Sequence, residues 1–274
     1  MFRSGNPVLG EGTFEKGLEY PYDDGRPLPA AMTVNGAVLK TAVLLAIVTV
    51  GAAFTWRMTF DGLSAARARV IQRENRISAL STIPAPVVAA TVLGAVAGLG
   101  LALVTCFFPK AAPVTAPLYA AAEGVFLGAV SAGFEYRYPG IAAQAAGLTA
   151  GTLAAMLAVY RLGLVKVNEK FVIGVMAATG GIALVYLADW LLRAFAGYPM
   201  PYIHETGLVG IGISAFVVGI AAFNLILDFA AIEEGEAARA PKYMEWYAAF
   251  GLLVTLVWLY LEMLRLLAKL RSSK

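Results

Sequence analysis

Two carboxylates stand inside long apolar runs, Glu123 some ten residues into its run and Asp228 near the end of its own. Asp228 lies in Asn224-Leu225-Ile226-Leu227-Asp228-Phe229, and Glu123 in Tyr119-Ala120-Ala121-Ala122-Glu123-Gly124-Val125-Phe126-Leu127-Gly128. An ionisable group at the centre of a membrane helix costs about 2.5–3.5 kcal/mol on insertion scales, so it is a functional candidate by default. No basic residue is adjacent in sequence to neutralise either one. Two carboxylates brought close together cannot both ionise cheaply, so they share a proton. Such a pair works as a pH-sensitive latch. Protonated, it is hydrogen-bonded and closed; deprotonated, it repels and admits a hard cation that prefers oxygen ligands.

Other charged residues have structural readings beside the functional one. Glu262 and Arg265 are three apart in the last apolar block and can pair on one helix face. Glu262 is also a candidate ion-binding or gating group, with Arg265 and Glu245 as charge partners. Asp189 and Arg193, four apart, read as an interfacial pair. Glu245 opens the last block, where a carboxylate complements the helix dipole. Glu233, Glu234 and Glu236 read as a solvated helix end, with attraction of a cation by the close carboxylates as the alternative. His204 falls in a loop and reads as solvated. Cys106 is the single cysteine, which excludes intramolecular disulfides, and it reads as a small buried apolar residue.

The elements that hold these groups are legible in the composition. Of 274 residues, 59% are hydrophobic and 14% charged, against about 45–50% and about 25% in soluble domains. So much apolar surface needs lipid as solvent. Seven blocks reach the length of about 20 residues that a helical span requires. They run over 37–56, 83–108, 114–134, 140–160, 171–192, 207–229 and 243–268. The runs are too long and too continuously apolar for a β-barrel. The expected fold is therefore all-α, a polytopic seven-transmembrane-helix bundle.

Prolines punctuate the blocks: Pro84 and Pro86, Pro109 and Pro113, Pro139, Pro199 and Pro201, and Pro241. Glycines at four-residue spacing (Gly94 and Gly98, Gly124 and Gly128, Gly147 and Gly151) are expected to let helix backbones approach closely. Trp56, Trp190 and Trp246 sit near span ends, where such rings prefer the interface. Residues 1–36 read as a mobile hydrophilic tail without a secretory signal pattern, with Thr33 as the cap of the first helix. Residues 37–270 form the membrane domain and 271–274 a short carboxyl-terminal tail. The connection 57–82 carries Arg67, Arg69, Arg73 and Arg76, and reads either as a solvated basic loop or as a surface helix on anionic lipid. Lysines and arginines near span ends show a small excess on the carboxyl-terminal side, which places that terminus inside.

The chain resembles the Bax inhibitor family of transmembrane proteins, in particular its bacterial branch. The resemblance spans roughly 37–270. It is carried by Glu123-Gly124-Val125-Phe126-Leu127-Gly128-Ala129, by Asn224 to Phe229, and by Pro241-Lys242-Tyr243-Met244-Glu245-Trp246-Tyr247 leading to Leu259-Tyr260-Leu261-Glu262-Met263-Leu264-Arg265-Leu266-Leu267. It implies a seven-helix fold with the last helix surrounded by the others. It also implies a calcium-permeable leak controlled by pH through a carboxylate pair in the last two helices, and an amino terminus in the cytoplasm, opposite to the charge count. Asp228 matches the first member of the pair. The second falls on Glu262 in one alignment and on Thr255 in another; with Thr255, Glu123 becomes the remaining carboxylate.

The leading expectation is a pH-sensitive cation (calcium) leak channel of the cell's inner or plasma membrane, with lipid and cations as its partners and no cofactor. The alternative is a non-conducting membrane interaction protein that regulates a membrane protease or stress machinery through its tail and basic connection. Scattered charge argues against nucleic acid. Catalysis is not expected: a Gly-x-Ser-x-Gly nucleophile site and an intramembrane histidine are absent, and Lys269 lies at the end of its block rather than the middle.

Overall fold

The computed structural model describes residues 31–72, 85–197, 200 and 207–273. Its helices are α1 (Val34–Gln72), α2 (Ala85–Phe107), α3 (Ala112–Arg137), α4 (Ile141–Arg161), α5 (Glu169–Leu191), α6 (Leu208–Ala237) and α7 (Met244–Ser272). Among the described residues, seven helices are long and apolar enough to cross a membrane. His204, Arg73 and Arg76 lie outside the described residues.

Helix ends follow local chemistry. Thr33 caps α1, as its position predicts: its Oγ1 accepts the Gly36 N–H at 3.0 Å. The Asn168 side chain does the same for α5, accepting from Phe171 N at 2.9 Å. Between α3 and α4 the chain turns through Gly140 at φ +83°, a conformation glycine adopts without strain. Glu135 holds that turn by accepting from Gly140 N at 2.5 Å and Ala142 N at 3.1 Å.

Two expected boundaries shift. Residues 31–36 are not part of a loose tail, because α1 starts at Val34 and Met32 N donates to Ala240 O at 2.7 Å. Ala31 forms an isolated bridge with Pro241. The basic connection is also helical at its start, since α1 continues unbroken to Gln72.

Glycine spacing sets the closest packing on α3. A Cβ on Gly128 would stand 2.3 Å from Ala52 O, and one on Gly124 2.6 Å from Val48 O, so α1 lies directly on the α3 backbone. On the α2 side, a Cβ on Gly94 would reach 3.0 Å from Ala122 O. Gly147 and Gly151 depart from expectation. Nothing approaches within 4 Å of a Cβ at either, because both are on the outward face of α4.

Helix α7 occupies the centre. It packs against α6, α1, α4 and α3, while α2 leans mainly on α3 and α5 on α6. Of its most apolar stretch, 61% is buried within the protein, a larger share than in any other span. Phe250, Leu253, Leu259 and Leu264 are fully enclosed there.

Candidate functional site

Asp228 is 0% exposed, within the stretch 224–232 of α6 that is buried throughout, and α6 packs chiefly on α7, with α4 and α5 also against it. Nine residues separate it from Ala237 at the helix end, a depth of roughly 13 Å at about 1.5 Å per residue. Two constraints set the register between the antiparallel helices α6 and α7. One is the short connection from Ala237 to Met244; the other is Lys269, whose Nζ donates to Gly210 O at 2.9 Å. Interpolation places Asp228 level with Leu252 and within a turn of Thr255, itself buried at 3% exposure. Glu262 is about ten residues, roughly 15 Å, further along α7. The bundle therefore puts Thr255, not Glu262, at the depth of Asp228.

Glu123 shares that depth. Tyr119 packs edge-on against Phe250 with ring centroids 4.9 Å apart, and the Ser131 and Tyr260 hydroxyls are 2.6 Å apart. These contacts bring Glu123 level with Leu253. However, α3 and α6 each pack on α7 and scarcely touch one another. The Glu123 carboxylate turns instead into the crevice with α2, where its Oε1 would be 3.0 Å from a Cβ at Gly98. Its Oε2 is buried with no hydrogen-bond partner. Asp228 and Glu123 are thus at comparable depth on two helices that both pack on α7 but scarcely on each other.

Glu262 and Arg265 pair as their spacing implies, with Arg265 Nη1 2.8 Å from Glu262 Oε1. A third residue joins them from α5: the Tyr186 hydroxyl donates to Glu262 Oε1 at 3.0 Å and accepts from Arg265 Nη1 at 2.6 Å. Glu262 is 1% exposed, and its Oε2 has no hydrogen-bond partner. Asp189 and Arg193 also pair, at 3.0 Å, and Asp189 Oδ1 accepts from Met200 N at 2.9 Å.

Glu245 does more than complement a dipole. It is 0% exposed and collects donors from three directions. Lys242 Nζ is 2.6 Å from its Oε1, Thr33 N and Oγ1 are each 3.0 Å from the same oxygen, and Lys40 reaches Oε2. Lys40 also lies 5.7 Å from the Trp246 ring centroid. Sequence reasoning missed this cluster. Its signals were a lysine one turn into the first apolar block and a Lys-x-x-Glu spacing at the start of the last.

The acidic end of α6 is held by donors rather than merely solvated. Tyr160 donates to Glu233 Oε2 at 2.6 Å, Arg161 approaches Oε1 at 3.5 Å, and Glu236 accepts from Val34 N at 3.0 Å. An open cavity of about 630 Å³, with both polar and apolar walls, lies beside Tyr160, Arg161, Glu233, Glu234, Val165 and Val167. Among the described residues, no group of three or more His, Cys, Asp or Glu gathers as a metal site.

Comparison with curated proteins and with solved structures gives no match. A family model described as Bax inhibitor 1 like matches residues 6–272. With nearly the whole chain covered and the seven-helix bundle in place, this multi-pass membrane protein belongs to the Bax inhibitor 1 like family.

Proposed function

We propose that the protein is a pH-sensitive cation leak, with calcium as a transported ion, residing in the cell's inner or plasma membrane and gated by Asp228. The observation that carries this reading is the complete burial of the Asp228 carboxylate against the central helix, at bilayer depth. A carboxylate is retained at such a cost where its charge is used. Protonated, Asp228 is compatible with a closed α6–α7 contact. Ionised, it draws water or a cation toward its oxygens, and a hard cation favours oxygen ligands. With Thr255 at its level, Asp228 acts on α7 as a single titrating group rather than as half of a carboxylate pair.

The test is calcium flux into liposomes holding the purified protein, measured from about pH 6 to about pH 8. Wild type should leak more as the pH rises, and Asp228→Asn, which cannot ionise, should remove that dependence. A flux profile unchanged by Asp228→Asn overturns the gate. Absence of flux from folded protein at every pH overturns the leak and favours the interaction-protein reading.

A further inference from the structure

A row of buried and half-buried polar groups follows the seam where α5, α6 and α7 meet, and the leak reading does not require it. It starts beside Asp228. One turn back along α6, Asn224 is 2% exposed; its Nδ2 donates to Thr179 Oγ1 of α5 at 2.8 Å and to Ile220 O at 2.9 Å. Both bonds use the amide nitrogen, so Oδ1 is left buried with no hydrogen-bond partner. Seven residues after Thr179, on the same face of α5, comes Tyr186 with its bonds to Glu262 and Arg265. In the register set by Gly210 and Lys269, Asn224 is level with Leu256, about six residues or roughly 9 Å short of Glu262.

The chemistry of these groups is one-sided. Asn224 Oδ1 and Glu262 Oε2 are acceptors, each buried and each lacking a donor. A buried acceptor left without a donor is costly, so the pair calls for water or a cation along the seam. Helix α5 packs on α6, whereas towards α7 it extends the Tyr186 side chain, which spans the seam. At the carboxyl-terminal end the row closes on cations. The Arg265 guanidinium lies 4.9 Å from the Tyr186 ring centroid, and Lys269 is anchored on Gly210 O a turn beyond.

We propose that the α5–α6–α7 seam is a hydrated cation path, and that the Tyr186–Glu262–Arg265 cluster is the plug closing it on the carboxyl-terminal side. Arg265, held across the seam by Glu262 and Tyr186, bars cations by charge and by bulk. Releasing it leaves the Glu262 carboxylate and the Asn224 and Thr179 oxygens as successive ligands or water anchors leading to Asp228. This path rests on the leak reading for its ion but not for its water.

The experiment separates the two. In a Cys106→Ser background, Thr179→Cys and Asn224→Cys would be treated in liposomes with a small charged methanethiosulfonate, which reacts only with a hydrated thiolate. Val185→Cys, on the outward face of α5, is the control. Adding Arg265→Gln should speed modification at 179 and 224 about tenfold over the control and raise calcium flux by a similar factor. Thiols at both positions no more reactive than the control, with Arg265→Gln folded by thermal unfolding, would overturn the path even if the Asp228-dependent leak stands. Reactive thiols without flux would uphold the hydrated seam and remove the leak.

Discussion

At Glu245, one side chain at the start of α7 ties down the start of α1, through Thr33 at its cap and Lys40 in its first turns, together with its own near neighbour Lys242. Glu245→Gln keeps the shape and removes the charge. It should cost about 2 kcal/mol, below the range for a fully buried pair because Lys242 and Lys40 keep some solvent contact. Thermal unfolding in detergent reads this directly, and Lys40→Met should not add in full if the two residues act on each other. Gly36 tests the same cluster by size. A Cβ there would fall 2.0 Å from Glu245 Oε1, so Gly36→Ala should displace the carboxylate and lower stability comparably. The sequence showed Glu245 as a helix-start acid, which is a local property. Lys242, three residues back, is within reach of a spacing rule, but the partners of Glu245 in α1 are 205 and 212 residues away, and no spacing rule reaches that far.

Among the helices, the α1–α3 contact is the tightest and rests on absent side chains. Gly124→Ala and Gly128→Ala each push a methyl into the α1 backbone, which cannot swing aside as a flexible side chain can. Each should destabilise by about 1–3 kcal/mol. Gly147→Ala meets nothing within 4 Å and should be neutral, or stabilising by about 0.5–1 kcal/mol through the helix preference of alanine. Unfolding midpoints of the three variants check the contrast. All three pairs of glycines looked alike in the sequence. Which face of a helix meets a neighbour depends on where the other helices stand, and an apolar face turned to lipid carries the same composition as one turned to protein. Even a span's existence was easier to see than its face.

For the molecule as a whole, the central position of α7 makes the last 29-residue helix a core that α1, α3, α4 and α6 share. A chain ended at residue 240 should lose that core and become protease-sensitive. Supplying 241–274 as a separate segment should restore resistance, since the α6–α7 connection is not where most of the burial lies. Limited proteolysis in membranes decides this, and equal resistance with and without the segment would contradict a shared core. The number of spans, their order, the helix breaks and the cost of placing Asp228 and Glu123 in a membrane were all written in local hydropathy and residue type. These follow from transfer of a chain segment into lipid, which does not need to know its neighbours. Depth was nearly as accessible, because helix rise is constant and the levels of Glu123 and Asp228 can be counted from the span ends. Direction was not. That the helices bearing them both pack on α7 and scarcely on each other, that Thr255 lies nearer their level than Glu262, and that Tyr186 closes on Glu262 and Arg265 all depend on how helices rotate and pack. Rotation is set by the sum of many contacts between segments remote in the chain.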